Sequence, residues 1–233
     1  MKTLGILGGM GPKATAVLYD LVVDHTEAGS DQEHINTVIL SDTGIPDRTA
    51  AILSGNLGPA RDALVSAAKK LEVSDADVII MPCNTAHYFI EDICDAVSCE
   101  VLNMIELATR DAIKLSGKDD PVIGVMATDG TLAAGVYEKE ILKQGAGYAR
   151  PSEDAQRGVM SLIYDEIKAG KEADTSKFEK AYSDLSKNSD AVIVGCTELS
   201  VYVATHQVPS NCVDAMGSLV RAAVKACGAE YKE

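Results

Sequence analysis

The stretch Asp77-Val-Ile-Ile-Met-Pro-Cys83-Asn84-Thr85 has a counterpart later in the chain, Asp190-Ala-Val-Ile-Val-Gly-Cys196-Thr197-Glu198. Each runs from an aspartate through four apolar residues and a residue with special backbone geometry to a cysteine. An apolar run of this length is too short for a helix and is typical of a buried strand. The repeat therefore predicts two related halves, each with a cysteine at the carboxyl end of a strand, where open α/β sheets bind ligands.

Short apolar runs alternate with segments of helical periodicity on both sides of this repeat. The predicted strands cover residues 3–7, 37–40, 78–81, 121–126 and 191–194, and the predicted helices cover residues 12–26, 59–71, 86–96, 132–144, 152–169 and 178–187. Such alternation is typical of βαβ units that build a parallel sheet. We therefore predict an α/β fold with two pseudo-symmetric lobes, mainly parallel sheets, flanking helices and a site in the cleft between the lobes.

The composition narrows the function classes. The 233 residues include 21 Lys and Arg against 35 Asp and Glu, a formal net charge of −14. This balance argues against nucleic acid as a partner, because such proteins neutralise phosphates with a basic surface. It also argues against docking on an anionic membrane. No apolar run approaches 18 residues, so no transmembrane helix is expected, and the 46% of hydrophobic residues is enough for a globular core.

The cysteine pattern favours free thiols over a disulfide framework or a zinc site. The six cysteines contain no Cys-x-x-Cys pair, and the four histidines are scattered along the chain. In a chain of this length without an export signal, reduced cysteines are the expectation. Four of them are expected in the core: Cys94, Cys99, Cys212 and Cys227.

Cys83 and Cys196 invite a different interpretation. A single free cysteine is usually a small buried hydrophobe, but these two share one position in related halves and lead directly into polar residues. The turn from a strand into a helix is expected to lower the pKa of each thiol. If the two thiols face each other, one as thiolate can remove a proton from carbon while the other delivers a proton to the opposite face, which is a two-base racemisation.

The glycine-rich segment Gly8-Gly9-Met10-Gly11-Pro12 follows the first predicted strand. It is a weak match to a dinucleotide-binding fingerprint, since the acidic residue expected about twenty positions later is not at a strand end. It could instead offer helix N-terminal N–H groups to a small carboxylate. Asn84-Thr85 and the Thr128-to-Thr131 turn stand at equivalent loops and could add donors, or could be ordinary helix caps.

These motifs, taken together, resemble those of the aspartate/glutamate racemase superfamily, and specifically of its aspartate racemase branch. The resemblance covers essentially the whole chain and includes both cysteine motifs in their order. Arg48 and Lys168, which composition alone would not select, are more specific for the aspartate branch. The matching motifs lie at residues 8–12, 46–49, 82–87, 163–170 and 195–199.

The resemblance implies roles for individual residues. Cys83 and Cys196 would be the two acid/base thiols, one for each enantiomer. Arg48 and Lys168 would hold the side-chain carboxylate of the substrate. The remaining substrate-binding residues would be Met10, Gly11, Asn84, Thr85, Thr128, Thr131, Thr197 and Glu198.

The resemblance also implies that the protein needs no pyridoxal phosphate, metal or nucleotide, forms a homodimer and is cytoplasmic. The first lobe would comprise residues 1–99 with 212–233, and the second lobe residues 100–211. The expected reaction is the interconversion of L- and D-aspartate.

Several alternatives stay open from the sequence. The enzyme could be a glutamate racemase, a racemase of broader acidic specificity, or a related isomerase or decarboxylase. It could also be a non-catalytic protein that binds a small molecule or a dinucleotide.

Overall fold

The computed structural model describes residues 1–233 and divides into two compact units, residues 1–104 with 216–233 and residues 105–215. The first unit holds a four-stranded parallel sheet in the order β2-β1-β3-β4. Its strands are β1 (Leu4–Gly8), β2 (Thr37–Ser41), β3 (Val78–Ile80) and β4 (Glu100–Val101). Its helices are α1 (Pro12–Asp24), α2 (Arg48–Ser54), α3 (Gly58–Val73) and α4 (Ile90–Cys94).

The apolar spacing of the helices explains how they cover this sheet. In α3 the buried residues recur at helical spacing, from Ala60 through Leu64 to Leu71. All residues of β1 and β3 are buried, as expected for central parallel strands covered on both faces. Residues after Met216 belong to the same unit, where the Lys2 N–H donates to the Cys227 carbonyl at 2.9 Å.

The second unit repeats this arrangement with the sheet order β6-β5-β7-β8, again all parallel. Helix α5 (Met104–Ser116) leads into it. Its strands are β5 (Val122–Met126), β6 (Gly147–Ala149), β7 (Ala191–Val194) and β8 (Cys212–Asp214). Its other helices are α6 (Asp129–Ala134), α7 (Val136–Lys143), α8 (Glu153–Ser161), α9 (Thr175–Leu185) and α10 (Thr197–Val203). Helix α11 (Ala215–Ala226) leads back into the first unit.

The fourth strand of each sheet falls on the other side of the division predicted from the sequence. Glu100–Val101, expected in the second lobe, pairs with β3 of the first sheet. Cys212–Asp214, expected in the first lobe, pairs with β7 of the second. The chain crosses between units only after each fourth strand, since α5 and α11 begin at residues 104 and 215. The hydrogen-bond ladder therefore sets these boundaries.

The aspartate that opens each half of the repeat ties two central strands together. The Asp77 carboxylate accepts the Thr3 N–H at 2.7 Å, and the Asp190 carboxylate accepts the Val122 N–H at 2.9 Å. In return the N–H of each aspartate donates to the carbonyl of the same partner residue. Lys118 adds an ion pair to Asp190 at 2.6 Å. The bond from Lys118 and the bond from the Val122 N–H together hold the pKa of Asp190 below its ordinary value.

Three predicted helices are interrupted in the structure. The segment predicted at 86–96 is a 3₁₀ turn over Thr85–Phe89 followed by α4. The helix predicted at 132–144 is broken at Gly135, which is left-handed with φ of 65° and separates α6 from α7. The helix predicted at 152–169 is α8 followed by a π-helical turn over Leu162–Ile167.

The remaining cysteines differ in burial. All six are free thiols. Cys227 is buried as predicted. Cys94 is exposed, since it is the last residue of the short helix α4, in which only Ile93 is buried. Cys99 and Cys212 are only half-buried. Among the helices, none is long and apolar enough to cross a membrane.

Gly195 is required by close packing at the end of β7. A Cβ built on Gly195 would lie 2.9 Å from Cε2 of Tyr137 and 3.3 Å from Cγ1 of Val125. Tyr137 and Val125 are fully buried, so neither can move aside easily. The glycine therefore allows the strand to reach Cys196 beneath this ring.

We expect the substitution Gly195→Ala to lower the free energy of unfolding by about 1–3 kcal/mol, because it overpacks this site. Urea denaturation measures the change. Gly158→Ala is the matched control, since nothing lies within 4 Å of the added methyl in α8; it should leave the protein as stable or more stable by up to about 1 kcal/mol. Equal stability of the two variants would contradict this packing argument.

Candidate functional site

The order of the first sheet fixes where its functional loops meet. The connections from β1 run to β2 on one side, while β3 pairs on the other side. This reversal opens a crevice at the carboxyl ends of β1 and β3. The glycine-rich segment Gly8–Pro12 follows β1 and the segment Pro82–Thr85 follows β3, so both border this crevice.

Cys83 lies in the segment that follows β3 and is buried, with 6% of its surface exposed. It packs in one apolar cluster with Leu7, Met10, Ile45 and Ala86. The polar residues that follow, Asn84 and Thr85, are buried as well. The structure therefore brings together four of the predicted site residues of this unit: Met10, Cys83, Asn84 and Thr85.

His87, which lies in the matching motif 82–87 but is not among the predicted site residues, is a hydrogen-bond partner of the Cys83 backbone. Its ring bonds the Cys83 carbonyl through Nδ1 at 2.8 Å, and its Nε2 accepts the Met104 N–H at 3.1 Å. Because an amide N–H can only donate, Nε2 carries no proton and Nδ1 is the donor. Burial of the ring lowers the pKa of His87 to about 4, so the imidazole is neutral at pH 7.

The glycine-rich segment is shaped by packing against the protein itself. Gly9 has φ of 94°, and a Cβ there would lie 2.4 Å from the Asp42 backbone. The Gly9 N–H donates to the Thr15 hydroxyl at 2.9 Å, and that hydroxyl donates to the Gly11 carbonyl at 3.0 Å. These contacts account for the glycines without a pyrophosphate and weaken the dinucleotide alternative. Gly11 is the N-cap of α1, with Pro12 at its first position.

Arg48 begins α2, and Asp47 caps this helix by accepting the Ala50 N–H at 2.7 Å. The guanidinium donates from Nη1 to the Ile45 and Pro46 carbonyls at 3.1 and 3.0 Å. Its buried Nε–H has no hydrogen-bond partner. Carbonyls hold the group in place but do not neutralise it, so Arg48 is a positioned cation that can take a carboxylate.

The second sheet reverses in the same way, between β5 and β7. Thr128 follows β5, caps α6 and accepts the Thr131 N–H at 3.2 Å. The hydroxyls of Thr128 and Thr131 lie 3.1 Å apart, and both side chains are buried. The interpretation of Thr128 as a helix cap is therefore correct. It leaves open that the same hydroxyls also donate to a carboxylate.

Cys196 follows β7, is the N-cap of α10 and is 5% exposed. Its Sγ donates to Oε2 of Glu198 at 3.1 Å, and Oε1 of Glu198 lies 3.9 Å from Nζ of Lys168. Thr197, which is also buried, begins the helix between them. The thiol, the carboxylate and the ammonium group thus form a connected chain, and the structure brings three predicted site residues together.

The expectation of a lowered thiol pKa is wrong for Cys196. Burial, followed by the charge of Glu198 and the hydrogen bond to it, raises the pKa of Cys196 well above its ordinary value. The helix N-terminus and Lys168 act in the opposite direction but are outweighed. Cys196 is therefore a protonated thiol at neutral pH.

The π-helical turn over Leu162–Ile167 presents Lys168. Nζ of Lys168 lies 4.3 Å from the centre of the Tyr164 ring, on the side of the segment that also reaches Glu198. Glu166 braces the turn by binding Lys177 and accepting the Asp174 N–H at 2.7 Å. A π turn adds one residue to a helical turn and so changes the direction of the side chains that follow.

Ser200, also absent from the predicted site residues, links α10 to the end of β8. Its Oγ lies 2.5 Å from Oδ1 of Asp214 and 3.4 Å from the Cys196 carbonyl. Ser200 occupies the fourth position after its cysteine, as His87 does in the first unit. Continuing the alignment of the two cysteine motifs by two more residues would have paired His87 with Ser200.

Protonation of His87 should make the protein less stable in mild acid. The imidazole has a pKa of 6.5 when unfolded and about 4 when folded, so the unfolded state binds the proton more readily as pH falls below 6.5. We expect wild type to lose roughly 2–3 kcal/mol of unfolding free energy through this group between pH 7.5 and 4.5. Urea denaturation of wild type and His87→Gln across this range measures the difference, and parallel curves would contradict the expected linkage.

Glu198 should control the reactivity of Cys196. Glu198→Gln removes a negative charge beside the thiol, so its pKa should fall and its thiolate fraction should rise about tenfold for each pH unit of the shift. Iodoacetamide labelling at pH 8, followed by mass spectrometry, measures the rate at Cys196. Cys212 is the internal control, since burial alone raises the pKa of that thiol to about 12. A Cys196 rate unchanged relative to Cys212 would exclude this electrostatic role.

Comparison with known proteins places these features in a family. Residues 7–223 match the Asp/Glu/Hydantoin racemase family. The broad specificity amino-acid racemase RacX of Bacillus subtilis (strain 168) is 28% identical over 227 residues, covering 95% of this chain and 96% of RacX.

Among solved structures, the aspartate racemase of Picrophilus torridus is 30% identical, with a TM-score of 0.82 over 100% of this chain and 96% of that chain. An aspartate racemase homologue from Pyrococcus horikoshii OT3 shares the fold, with 21% identity and a TM-score of 0.77 over 97% and 99% of the two chains. With two parallel α/β units, a cysteine at the central strand end of each and a family match over nearly its whole length, the chain belongs to the Asp/Glu/Hydantoin racemase family.

Proposed function

We propose that the protein interconverts L- and D-aspartate by two-base proton transfer, with Cys83 and Cys196 as the acid and the base. The observation that carries this proposal is the equivalent placement of one free thiol at the carboxyl end of the central strand of each sheet. In one direction the first thiolate takes the α-proton and the second thiol gives its proton to the opposite face of the carbon. In the other direction the two sulfurs exchange roles, so protons balance over the cycle.

The reaction requires strong stabilisation of the carbanion. Without a cofactor acting as an electron sink, the negative charge must develop on the substrate α-carboxylate. Hydrogen-bond donors fixed in a dry site stabilise such charge, and one donor can contribute about 3–4 kcal/mol. The buried side chains of Asn84, Thr85, Thr128, Thr131 and Thr197 supply amides and hydroxyls of this type, and the backbone at Met10 and Gly11 adds further polar groups.

The resting state of Cys196 is part of the proposal. Cys196 begins as a thiol, since burial and Glu198 raise its pKa. When Cys196 acts as the base, Glu198 can receive its thiol proton, because the two groups already share a hydrogen bond, and Cys83 then carries the proton that it gives to the opposite face of the carbon. A thiolate of raised pKa is also the stronger base toward a weakly acidic carbon.

The second carboxylate of aspartate is assigned to Arg48 and Lys168. Arg48 is held by neutral carbonyls, and its charge is available to a ligand. Lys168 is shared with Glu198 at 3.9 Å. A net charge of −14 gives an anionic dicarboxylate substrate no general attraction, so these local cations must supply it.

A racemase of broader amino-acid specificity is the second candidate. Glu198 already neutralises part of the charge on Lys168, which lowers the preference of the site for a distal carboxylate. RacX, which aligns along nearly the whole chain, is itself a broad specificity racemase. The homodimer and the cytoplasmic location implied by the resemblance stay predictions.

Replacing either cysteine should separate the two half-reactions. Cys83→Ser and Cys196→Ser should each abolish racemisation, because one face of the α-carbon loses its proton carrier. Each variant should retain weak exchange of the α-hydrogen in heavy water for one enantiomer only, and the two variants should act on opposite enantiomers. Chiral chromatography with mass spectrometry measures both quantities. Near-normal racemisation by either variant would rule out the two-thiol mechanism.

Substrate choice should depend on the two cations. Arg48→Ala is expected to reduce kcat/KM for aspartate by about 100-fold or more, since it removes a charged hydrogen-bond partner worth about 1.5–3 kcal/mol together with the positioning of the substrate. The effect on alanine, which has no distal carboxylate, should be much smaller. Arg61→Ala is the matched control, because Arg61 pairs only with the exposed Asp62. A wild-type enzyme that turns over alanine and aspartate equally would favour the broad-specificity candidate.

A further inference from the structure

The carbonyls of the two cysteines have different hydrogen-bond partners: the side chain of His87 binds that of Cys83, and a backbone amide binds that of Cys196. In α10 the Cys196 carbonyl accepts the Ser200 N–H at 3.1 Å, an ordinary α-helical bond. The segment after Cys83 is a 3₁₀ turn instead, where the His87 N–H donates to the Asn84 carbonyl at 3.1 Å. The Cys83 carbonyl therefore does not receive the amide of residue 87 and is bonded by the His87 ring at 2.8 Å.

The second nitrogen of the His87 ring binds the first residue of α5, the helix that leads out of the first unit. Nε2 of His87 accepts the N–H of Met104, the first residue of α5 and the last residue of the first unit. In the second unit Ser200 reaches Asp214, the residue immediately before α11 and one before the last residue of that unit. Both units thus connect the cysteine loop to the point where the chain crosses over.

We propose that His87 is a positioning residue for Cys83: its neutral ring bridges the Cys83 carbonyl and the Met104 N–H, and so fixes the direction of the thiol at the end of β3. This inference rests on the proposed two-thiol racemisation. His87 does not touch the substrate in this account. It keeps the segment Asn84–His87 in the 3₁₀ conformation, and with it the orientation of Cys83 at the strand end.

The chemistry of the bridge explains why histidine suits this place. The site requires one donor and one acceptor on opposite sides of a rigid side chain, and only the neutral ring with hydrogen on Nδ1 provides both here. The ring is 2% exposed, so burial keeps it neutral. A leucine could fill a similar volume but would leave both the carbonyl and the amide without this partner, and an unpaired buried backbone group is costly.

The loss of the bridge should affect one half-reaction more than the other. The Cys196→Ser enzyme exchanges the α-hydrogen through Cys83 alone, and the Cys83→Ser enzyme exchanges it through Cys196 alone. We expect His87→Leu to slow the Cys83-dependent exchange about ten- to 100-fold, because a displacement of about 1 Å at a reacting group has effects of this size. The Cys196-dependent exchange should change less than about threefold, which is small on the same scale.

The experiment measures exchange of L- and D-aspartate in heavy water by mass spectrometry, in both single-cysteine backgrounds, with and without His87→Leu. His87→Gln, which keeps an amide donor and acceptor, should recover part of the Cys83-dependent rate. His25→Gln is the matched control, because Nδ1 of His25 makes the same type of bond to the Lys232 carbonyl at 2.8 Å, away from either cysteine; it should alter neither rate.

The outcomes separate this proposal from the proposed function. If wild type catalyses no racemisation or exchange, the proposed function is wrong. If wild type is active and His87→Leu lowers the Cys83-dependent and the Cys196-dependent exchange rates equally, or changes neither rate, His87 is only a structural residue. Either result overturns the positioning role. If His87→Leu does not fold, the comparison is made with His87→Gln, which must show the same asymmetry in weaker form for the proposal to stand.

Discussion

The central constraint is the reversal of strand order within each four-stranded parallel sheet. Two neighbouring strands in the middle of a sheet, β1 with β3 and β5 with β7, send their connections to opposite sides and leave a crevice at their carboxyl ends. These strands are buried on both faces, so the residues just after them are the first that can carry polar chemistry. Each cysteine occupies such a position, and the glycines and threonines that border it follow from the same geometry.

The two cysteine sites are alike in position and different in chemistry. Cys83 precedes a 3₁₀ turn, and the neutral ring of His87 binds the Cys83 carbonyl. Cys196 is the N-cap of an α-helix and donates its thiol hydrogen to Glu198. One site is organised through the backbone and the other through a charged side chain. The two halves of the fold thus place their thiols in different surroundings, and burial with Glu198 raises the pKa of Cys196.

Much of the architecture is readable from the sequence because buried parallel strands are short apolar runs with clear ends. The repeat from Asp77 to Cys83 and from Asp190 to Cys196 predicts the two halves correctly. The π turn before Lys168 and the 3₁₀ turn after Cys83 are not readable, since they depend on tertiary contacts rather than on local preference. The pKa of Cys196 was predicted in the wrong direction, because burial and Glu198 outweigh the helix N-terminus. His87 lies within the matching segment 82–87, but the sequence does not predict the bridge that its ring makes.

The central claim is that the sulfurs of Cys83 and Cys196 act on the two faces of one α-carbon. A crystal structure of the unmodified protein with aspartate bound tests it most directly. We expect the α-carbon of the ligand between the two sulfurs, roughly 3.5 Å from each, with a carboxylate of the ligand on Arg48. A ligand whose α-carbon lies beside one sulfur and out of reach of the other would contradict the account.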